Sequence, residues 1–487
     1  MTERSGPRTI RLVRPHWRSP MRALHADADN IRTLFSRAMS DMYRAEVPQY
    51  GTLMELVSEV NRATLQQSEQ LRESLERSDE LERLSLERHG AIRLGRPEEL
   101  FNVRRVFAVM GMHPVGYYDL SAAGVPVHAT AFRPIDDAAL RRNPFRVFTS
   151  LLRLELIEDD ALRAAAQRIL GERSIFTPRT LELVEVFETQ GYLTVAQAEE
   201  FVGEALETFR WHSEATVSLD VYQQLHDAHR LIADVVSFRG PHINHLTPRT
   251  LDIDAVQAGM PGRGIAPKAV IEGPPRRGCP ILLRQTSFKA LEEPIIFMRD
   301  DGTSAPGTHT ARFGEIEQRG VALTPKGRAL YDALLASARE TDGIEASTRS
   351  YSERLAERFA AFPDDWATLR QEGLAFFRYS ATEAGAGSGQ AWTSSVDDLI
   401  AEGLLRFDPI IYEDFLPVSA AGIFQSNLGS EDQRTYASNA SRSAFEAALG
   451  AKVCDDMELY ARAEQESLQQ ALLQLKSPHF GRTAIAR

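Results

Sequence analysis

The sequence predicts an α+β fold, with a β-rich core of two modules wrapped by N-terminal, inserted and C-terminal helices. Three observations carry this. Apolar residues recur at helical spacing at both ends and in one central stretch. Two other stretches switch to short β-like runs bounded by glycine and proline. The element order of the first such stretch returns in the second, as a repetition of order and not of residues.

The opening, residues 2–22, is rich in arginine but has no helical period and reads as an arm. Leu24, Ile31, Leu34 and Phe35, and later Leu53, Leu56, Val57 and Val60, recur at helical spacing, so residues 1–84 form an arm and a helical layer. Glu and Arg interleave over residues 66–88, which reads as a solvated helix face without chemistry. The first β-rich module spans 85–160: a strand over 89–94, a helix over 97–110 with proline in its first turn, and strands over 115–120 and 125–132.

Residues 161–214 return to helix, with Thr194 ahead of Glu199 and a run of alanines, and form an insertion. The second β-rich module covers 215–325, with a helix over 226–238 and strands over 243–254, 281–288, 295–299 and 310–317. Its Gly- and Pro-rich loop, 259–280, carries Arg263, Lys268, Arg276 and Arg277, which read as solvated although they are placed to flank an acidic ligand. Residues 326–487 form a C-terminal helical region, with a helix over 325–358, a turn over 385–389 and an apolar loop over 415–424.

Lys and Arg number 56 against 68 Asp and Glu, and the charge of −12 gives nucleic acid or an anionic membrane no electrostatic reason to bind. A small-molecule substrate is the expectation. Cys279 and Cys454 are too few for a disulfide framework or a multi-thiolate metal site, which points to a reducing cytoplasm. Cys279, followed by proline and apolar residues, reads as a packed thiol. No apolar stretch approaches the roughly 20 residues that span a bilayer, and the start has no secretory core. A Walker loop, a nucleophile elbow and a His-Glu-x-x-His helix are all missing, which argues against nucleotide, serine-hydrolase and zinc-protease chemistry.

The chemistry-bearing residues sit in the β-like segments. In His-Gly-Ala-Ile-Arg, 89–93, strand alternation puts His89, Ala91 and Arg93 on one face, so an imidazole and a guanidinium share a space with room between them. Arg offers a carboxylate substrate a planar fork that stays charged. His242 and His245 lie three apart and face opposite ways in a strand, so one of them serves as a ligand; His245 is flanked by Asn244 and Thr247, which can support it. His226 and His229 read as a polar helix face. Glu315 and Glu317 share a strand face, and spacing does not choose between them. Two carboxylates facing one cavity need a metal or an arginine to offset them. Two imidazoles and one carboxylate are the ligand set of a mononuclear non-haem Fe(II) centre, with open positions for substrate and dioxygen.

Four segments carry a family resemblance: His-Gly-Ala-Ile-Arg at 89–93, Asn-His-Leu-Thr-Pro-Arg at 244–249, Phe-Gly-Glu-Ile-Glu-Gln-Arg-Gly at 313–320, and Phe-Leu-Pro-Val-Ser-Ala-Ala-Gly-Ile-Phe at 415–424. Over about residues 20–450 the chain resembles the 2-oxoadipate dioxygenase/decarboxylases, or hydroxyglutarate synthases, of bacterial lysine catabolism. The resemblance implies a core related to the vicinal oxygen chelate group, two β-rich modules around one Fe(II), and His89, His245 and Glu315 as its ligands. Glu315 is preferred over Glu317 because the run also looks like the ligand strand of hydroxyphenylpyruvate dioxygenases, where the metal glutamate lies three residues before a Gln-Arg pair. The resemblance gives Arg93 the substrate carboxylate and sets Val418 and Ser419 near the substrate.

The implied reaction converts 2-oxoadipate and O2 to 2-hydroxyglutarate and CO2, with no second 2-oxo acid consumed. The alternatives on the same ligand set are aromatic 2-oxo acid dioxygenation, extradiol ring cleavage and metal-dependent lyase work. A non-enzymatic ligand-binding scaffold is the reading from another class.

Overall fold

The computed structural model describes residues 25–298, 303–339, 350–386, 388, 395–416 and 439–476. The expected arm lies outside them, as do Val418 and Ser419.

The helical layer forms as its periodicity predicts. Asp27 caps the helix Ala28–Glu46 by accepting the Asn30 N–H at 2.8 Å, and Ile31, Phe35, Met39 and Met42 bury one stripe. The helix Pro48–Gln67 follows, with proline at its start. Tyr43 ties this layer to the rest: its buried hydroxyl lies 3.1 Å from the Asn244 carbonyl and 2.7 Å from that of Phe313, the two segments that lead into His245 and Glu315.

Strands in chain order are β1 His25–Ala26, β2 Arg88–Leu94, β3 His113–Asp119, β4 Val127–Arg133, β5 Arg146–Leu152, β6 Leu193–Thr194, β7 His245–Pro248, β8 Leu283–Ser287, β9 Glu293–Met298, β10 Ser304–His309, β11 Glu315–Arg319, and, within the region expected as helical, the antiparallel pair β12 Phe377–Ala381 and β13 Leu405–Pro409. A five-stranded sheet runs β3-β4-β5-β2-β7, with β2 parallel to β5 and antiparallel to β7. Thus a strand from the second half of the chain completes the sheet of the first. β11 pairs with β8 and lies along β7, where the Thr250 N–H reaches the Glu317 carbonyl at 2.7 Å and the Phe313 N–H that of Asn244 at 3.1 Å. At Gly314 an added Cβ would sit 2.0 Å from Phe288, so glycine is what lets these strands close together. The succession β2-β7-β11 carries His89, His245 and Glu315 on adjacent strands. One hydrophobic core joins the N-terminal helices to a face of the sheet; a second, including Ala91, Ala129, Phe148 and Phe415, covers the other.

Several elements differ from the sequence expectation. β5 was not expected: all seven of its residues are buried, so no alternation marks it. The expected helix over 226–238 is two helices, Leu219–Ala228 and Arg230–Val236, because extended His229 turns its ring to accept the Leu231 N–H at 3.1 Å and caps the second. The strand expected over 243–254 is only β7, since Asp252 caps a new helix, Ile253–Gly259. The last expected strand starts at Glu315 and not at 310. The helix expected over 325–358 is described as Pro325–Arg339 and a separate Tyr351–Phe359, whose own capping box uses Ser350 and Glu353. The turn expected at 385–389 is described over residues 383–386.

A second correction concerns the end of residues 66–88, expected as a solvated face: 66–79 are exposed or partly exposed as expected, apart from Leu75, but most of the charges after them are not. Glu80, Arg83, Glu87 and Arg88 are buried. Glu87 receives Arg83 at 3.2 Å, Arg146 at 2.8 Å and Arg249 at 3.1 Å, while Arg83 and Arg146 also pair with Glu413. This charged layer lies directly beneath the N-terminal end of β2. Charges arranged this way are invisible to a local reading, because their partners come from distant elements.

Candidate metal centre and its arginine

The register of β2 against β7 pairs Ala91 with His245 and His89 with Thr247, so all four side chains share one face. Glu315, at the start of β11, joins them. Its Oε2 lies 3.0 Å from His89 Nε2 and 3.5 Å from His245 Nε2, and the ligating atoms of the three residues fall within 4.8 Å of one another. All three residues are buried. The imidazoles stand edge to face at 5.4 Å; Phe415 packs on His89 and Phe313 on His245, each at 4.9 Å, fixing both rings.

Support around Glu315 is one-sided. Thr247 Oγ1 donates to Oε2 at 2.9 Å and Gln285 Nε2 at 3.3 Å, whereas Oε1 has no hydrogen-bond partner among the described residues. Neither ring nitrogen of His245 has one either. A buried unsatisfied polar atom costs roughly 1–3 kcal/mol, so an unpaired carboxylate oxygen beside an imidazole with no hydrogen-bond partner is the signature of a site built for a further partner. Burial pushes the His245 imidazole down to about 4, against the opposing pull of Glu315, so it is a neutral donor. Burial opposes ionisation of Glu315 as well, but His245 and His89 hold it below the usual carboxylate range. A neutral imidazole, an anionic carboxylate and unpaired buried lone pairs fit a divalent metal ion.

Glu317 has a different environment. Its Oε2 lies 2.9 Å from His89 Nδ1, the nitrogen turned away from Glu315, and Arg319 grips both its oxygens at 2.8 Å. Burial would raise its pKa, but Arg319 and His89 bring it down to about 2. For His89 the net effect is opposite: burial lowers its pKa, and Glu317 with Glu315 raises it above the ordinary value. The carboxylate of Glu317 draws a proton to Nδ1 and leaves Nε2 to face Glu315 and His245. The two glutamates that sequence spacing left equivalent are therefore distinct: one sits between both histidines, the other orients one of them.

Arg93 points to the same face as His89, and its charge contributes to the depression of His245. Its Nη1 lies 2.6 Å from Asp234 Oδ2. The other oxygen of Asp234 lies 2.9 Å from His309 Nε2 and 3.3 Å from His242 Nε2. Burial opposes the ionisation of Asp234, yet Arg93 and His242 hold its carboxyl well below the usual range. His242 thus turns away from His245, although it lies ahead of β7 and not in the strand whose alternation was expected to separate the two. His226 is exposed and His229 caps a helix, so they form no pair.

Asn244 does not support His245: its amide lies 3.3 Å from His242. The functional neighbours that sequence reasoning missed are Gln285, Asp234, His309 and Tyr222, none of which lies in a motif. The basic loop residues are engaged by the protein: Arg263 pairs with Glu59, Arg276 with Asp252, and Arg277 donates to the carbonyls of Phe359, Phe362 and Pro363. Lys268 is half-buried, and burial pushes its ammonium down to about 8. Cys279 is buried, which pushes its thiol up to about 12. Among the described residues no helix is long and apolar enough to cross a membrane.

Fold and site together define a class: an α+β protein with a buried two-histidine, one-carboxylate cluster beside a carboxylate-held arginine. The family model described as 2-oxoadipate dioxygenase/decarboxylase matches residues 35–427, and the chain belongs to that enzyme family. A 2-oxoadipate dioxygenase/decarboxylase of Pseudomonas putida is 60% identical over 446 residues, spanning 91% of this chain and 96% of its own. One of Escherichia coli (strain K12) is 61% identical over 442 residues, spanning 90% and 97%. The crystal structure of the Pseudomonas putida hydroxyglutarate synthase in complex with 2-oxoadipate superposes with a TM-score of 0.85 at 57% identity, covering 93% of this chain and 99% of that one.

Proposed function

We propose that this chain is a 2-oxoadipate dioxygenase/decarboxylase that holds Fe(II) on His89, His245 and Glu315 and converts 2-oxoadipate and O2 to 2-hydroxyglutarate and CO2. The observation that carries this reading is the meeting of His89, His245 and Glu315, with unpaired buried donor atoms, on the strand face that also presents Arg93. Fe(II) bound there would supply the redox chemistry that joins O2 to a 2-oxo acid and releases CO2. In this reading Arg93 takes the distal carboxylate of the substrate, leaving its 2-oxo acid end toward the cluster. Thr247 and Gln285 orient Glu315, and Glu317 keeps the proton of His89 on Nδ1. Phe415 and Phe313 wall the histidines, with Phe148 packed behind Phe415, and keep water out.

The reaction balances without a second 2-oxo acid: both oxygen atoms of O2 enter the organic product, and one carboxyl leaves as CO2. The family resemblance assigns it to lysine catabolism, and the two cysteines fit a reducing cytoplasm. The test is oxygen uptake by anaerobically Fe(II)-loaded protein on adding 2-oxoadipate, with products identified by mass. Uptake with CO2 and 2-hydroxyglutarate is the expected result. Bound iron without uptake, or uptake only with arylpyruvates or catechols, overturns the substrate assignment.

A further inference from the structure

A second group of buried ligand-type residues, Asp234, His242 and His309, lies on the far side of Arg93, with its ligating atoms also within 4.8 Å of one another. It does not repeat the first. None of its side-chain atoms is left buried without a partner, in contrast to His245 and Glu315. The Arg93 guanidinium, at 2.6 Å from Asp234 Oδ2, already supplies a positive charge that a dication would have to face. The group is closed by the protein's own hydrogen bonds.

Those bonds form a chain that ends on Arg93. Tyr222 Oη lies 2.8 Å from His309 Nδ1, and His309 Nε2 lies 2.9 Å from Asp234 Oδ1. With the His309 proton on Nε2, that nitrogen donates to the carboxylate and Nδ1 accepts the Tyr222 O–H, so every link is satisfied with neutral imidazole. Trp211 stacks on His309 with planes 10° apart and meets His242 edge-on at 4.6 Å, while Phe238 packs on His309 at 4.6 Å. The four members come from four elements: Arg93 from β2, Tyr222 and Asp234 from the two helices that His229 separates, and His309 from β10.

We propose that Asp234, held by His309 and Tyr222, is the positioning residue that fixes the Arg93 fork and thereby sets the preference for a substrate with a distal carboxylate. This rests on the reading that Arg93 receives that carboxylate. An arginine side chain has many rotamers, and the freedom lost on fixing it weakens any ligand that must do the fixing. A prior anchor on one nitrogen moves that loss to folding. The substrate then meets an oriented guanidinium.

The test compares 2-oxoadipate with 2-oxohexanoate, which carries a methyl group in place of the distal carboxylate. Kd is measured by anaerobic calorimetry on Fe(II)-loaded protein, and KM and kcat by oxygen uptake. For Asp234→Asn the diacid-over-monoacid preference falls roughly 10-fold or more, the loss of one charge-assisted hydrogen bond, and appears in Kd and KM with kcat little changed. Tyr222→Phe, which removes one hydroxyl at the far end of the chain, moves the preference in the same direction by about 2- to 5-fold and serves if the Asp234 variant does not fold. Adding Asp234→Asn to Arg93→Ala costs no further preference, because the anchor has nothing left to hold. Equal losses for both substrates, an unchanged preference, or tighter diacid binding in Asp234→Asn overturns the proposal. Wild-type protein that binds 2-oxoadipate without turning it over defeats the functional reading instead, and the two affinities still decide the role of Asp234.

Discussion

Glu317 Oε2 lies 2.9 Å from His89 Nδ1, on the opposite side of the imidazole from Glu315, whose Oε2 lies 3.0 Å from Nε2. One histidine is thus held between two carboxylates with separable tasks. Glu315→Gln removes the charge between the two histidines, and the purified protein should contain no stoichiometric metal. Glu317→Gln keeps a hydrogen-bonding shape at Nδ1 and should bind metal roughly 10- to 100-fold more weakly while retaining the site. Metal content by elemental analysis and affinity by competition with a chelator decide it, and a metal-replete Glu315→Gln would reverse the two roles.

The charged layer beneath β2 makes a stability prediction. Glu87 is fully buried and offsets Arg83, Arg146 and Arg249 together. Glu87→Ala leaves Arg83, Arg146 and Arg249 crowded, with Glu80, Glu413 and Glu317 left to balance them. The expected destabilisation in urea unfolding is about 3–5 kcal/mol, the range for breaking a buried ion pair. A loss under about 1 kcal/mol, typical of surface pairs, would mean that the layer is solvated after all.

The pH dependence of chelator-treated protein follows from His245. Its ordinary pKa of 6.5 falls to about 4 in the folded state, chiefly through burial. Unfolded chains therefore take up this proton at a pH where folded ones do not, and stability drops as pH falls from about 6.5 to about 4. The full effect is on the order of 3 kcal/mol. Glu317, lowered from 4.5 to about 2, extends the loss below pH 4.5. His89 has the opposite sign: its raised pKa gives stability below 6.5 that is lost as pH rises through the folded value. Urea midpoints across pH should show a shallower acid limb for His245→Gln than for wild type, and parallel limbs would remove His245 as the cause.

Legibility in the sequence followed the range of the interactions. The stripe Ile31, Leu34, Phe35 is local, and its helix formed as read. The alternation His89, Ala91, Arg93 is local too, and β2 turns all three to one face. β5 escaped because burial on both faces erases alternation, and the helix break at His229 escaped because a histidine cap has weak propensity. Within residues 66–88 the stretch 66–79 is solvated as read, apart from Leu75, but 80–88 was misread, because interleaved charge looks the same whether water or Glu413 receives it.

What the sequence determined by itself was the set of donors and the strands that carry them: His89, His245 and the pair Glu315 and Glu317, each in a segment whose period fixes which way it faces. Tertiary structure decided the division of labour. Glu315 differs from Glu317 through its neighbours: Thr247 and Gln285 from other strands for one, Arg146 from β5 together with Arg319 of their own strand for the other. Arg93 acquires its anchor from Asp234, 141 residues away. Periodicity is a property of adjacent residues, whereas burial and charge compensation act through space, so the carboxylate that meets both imidazoles is settled only when β2, β7 and β11 lie side by side.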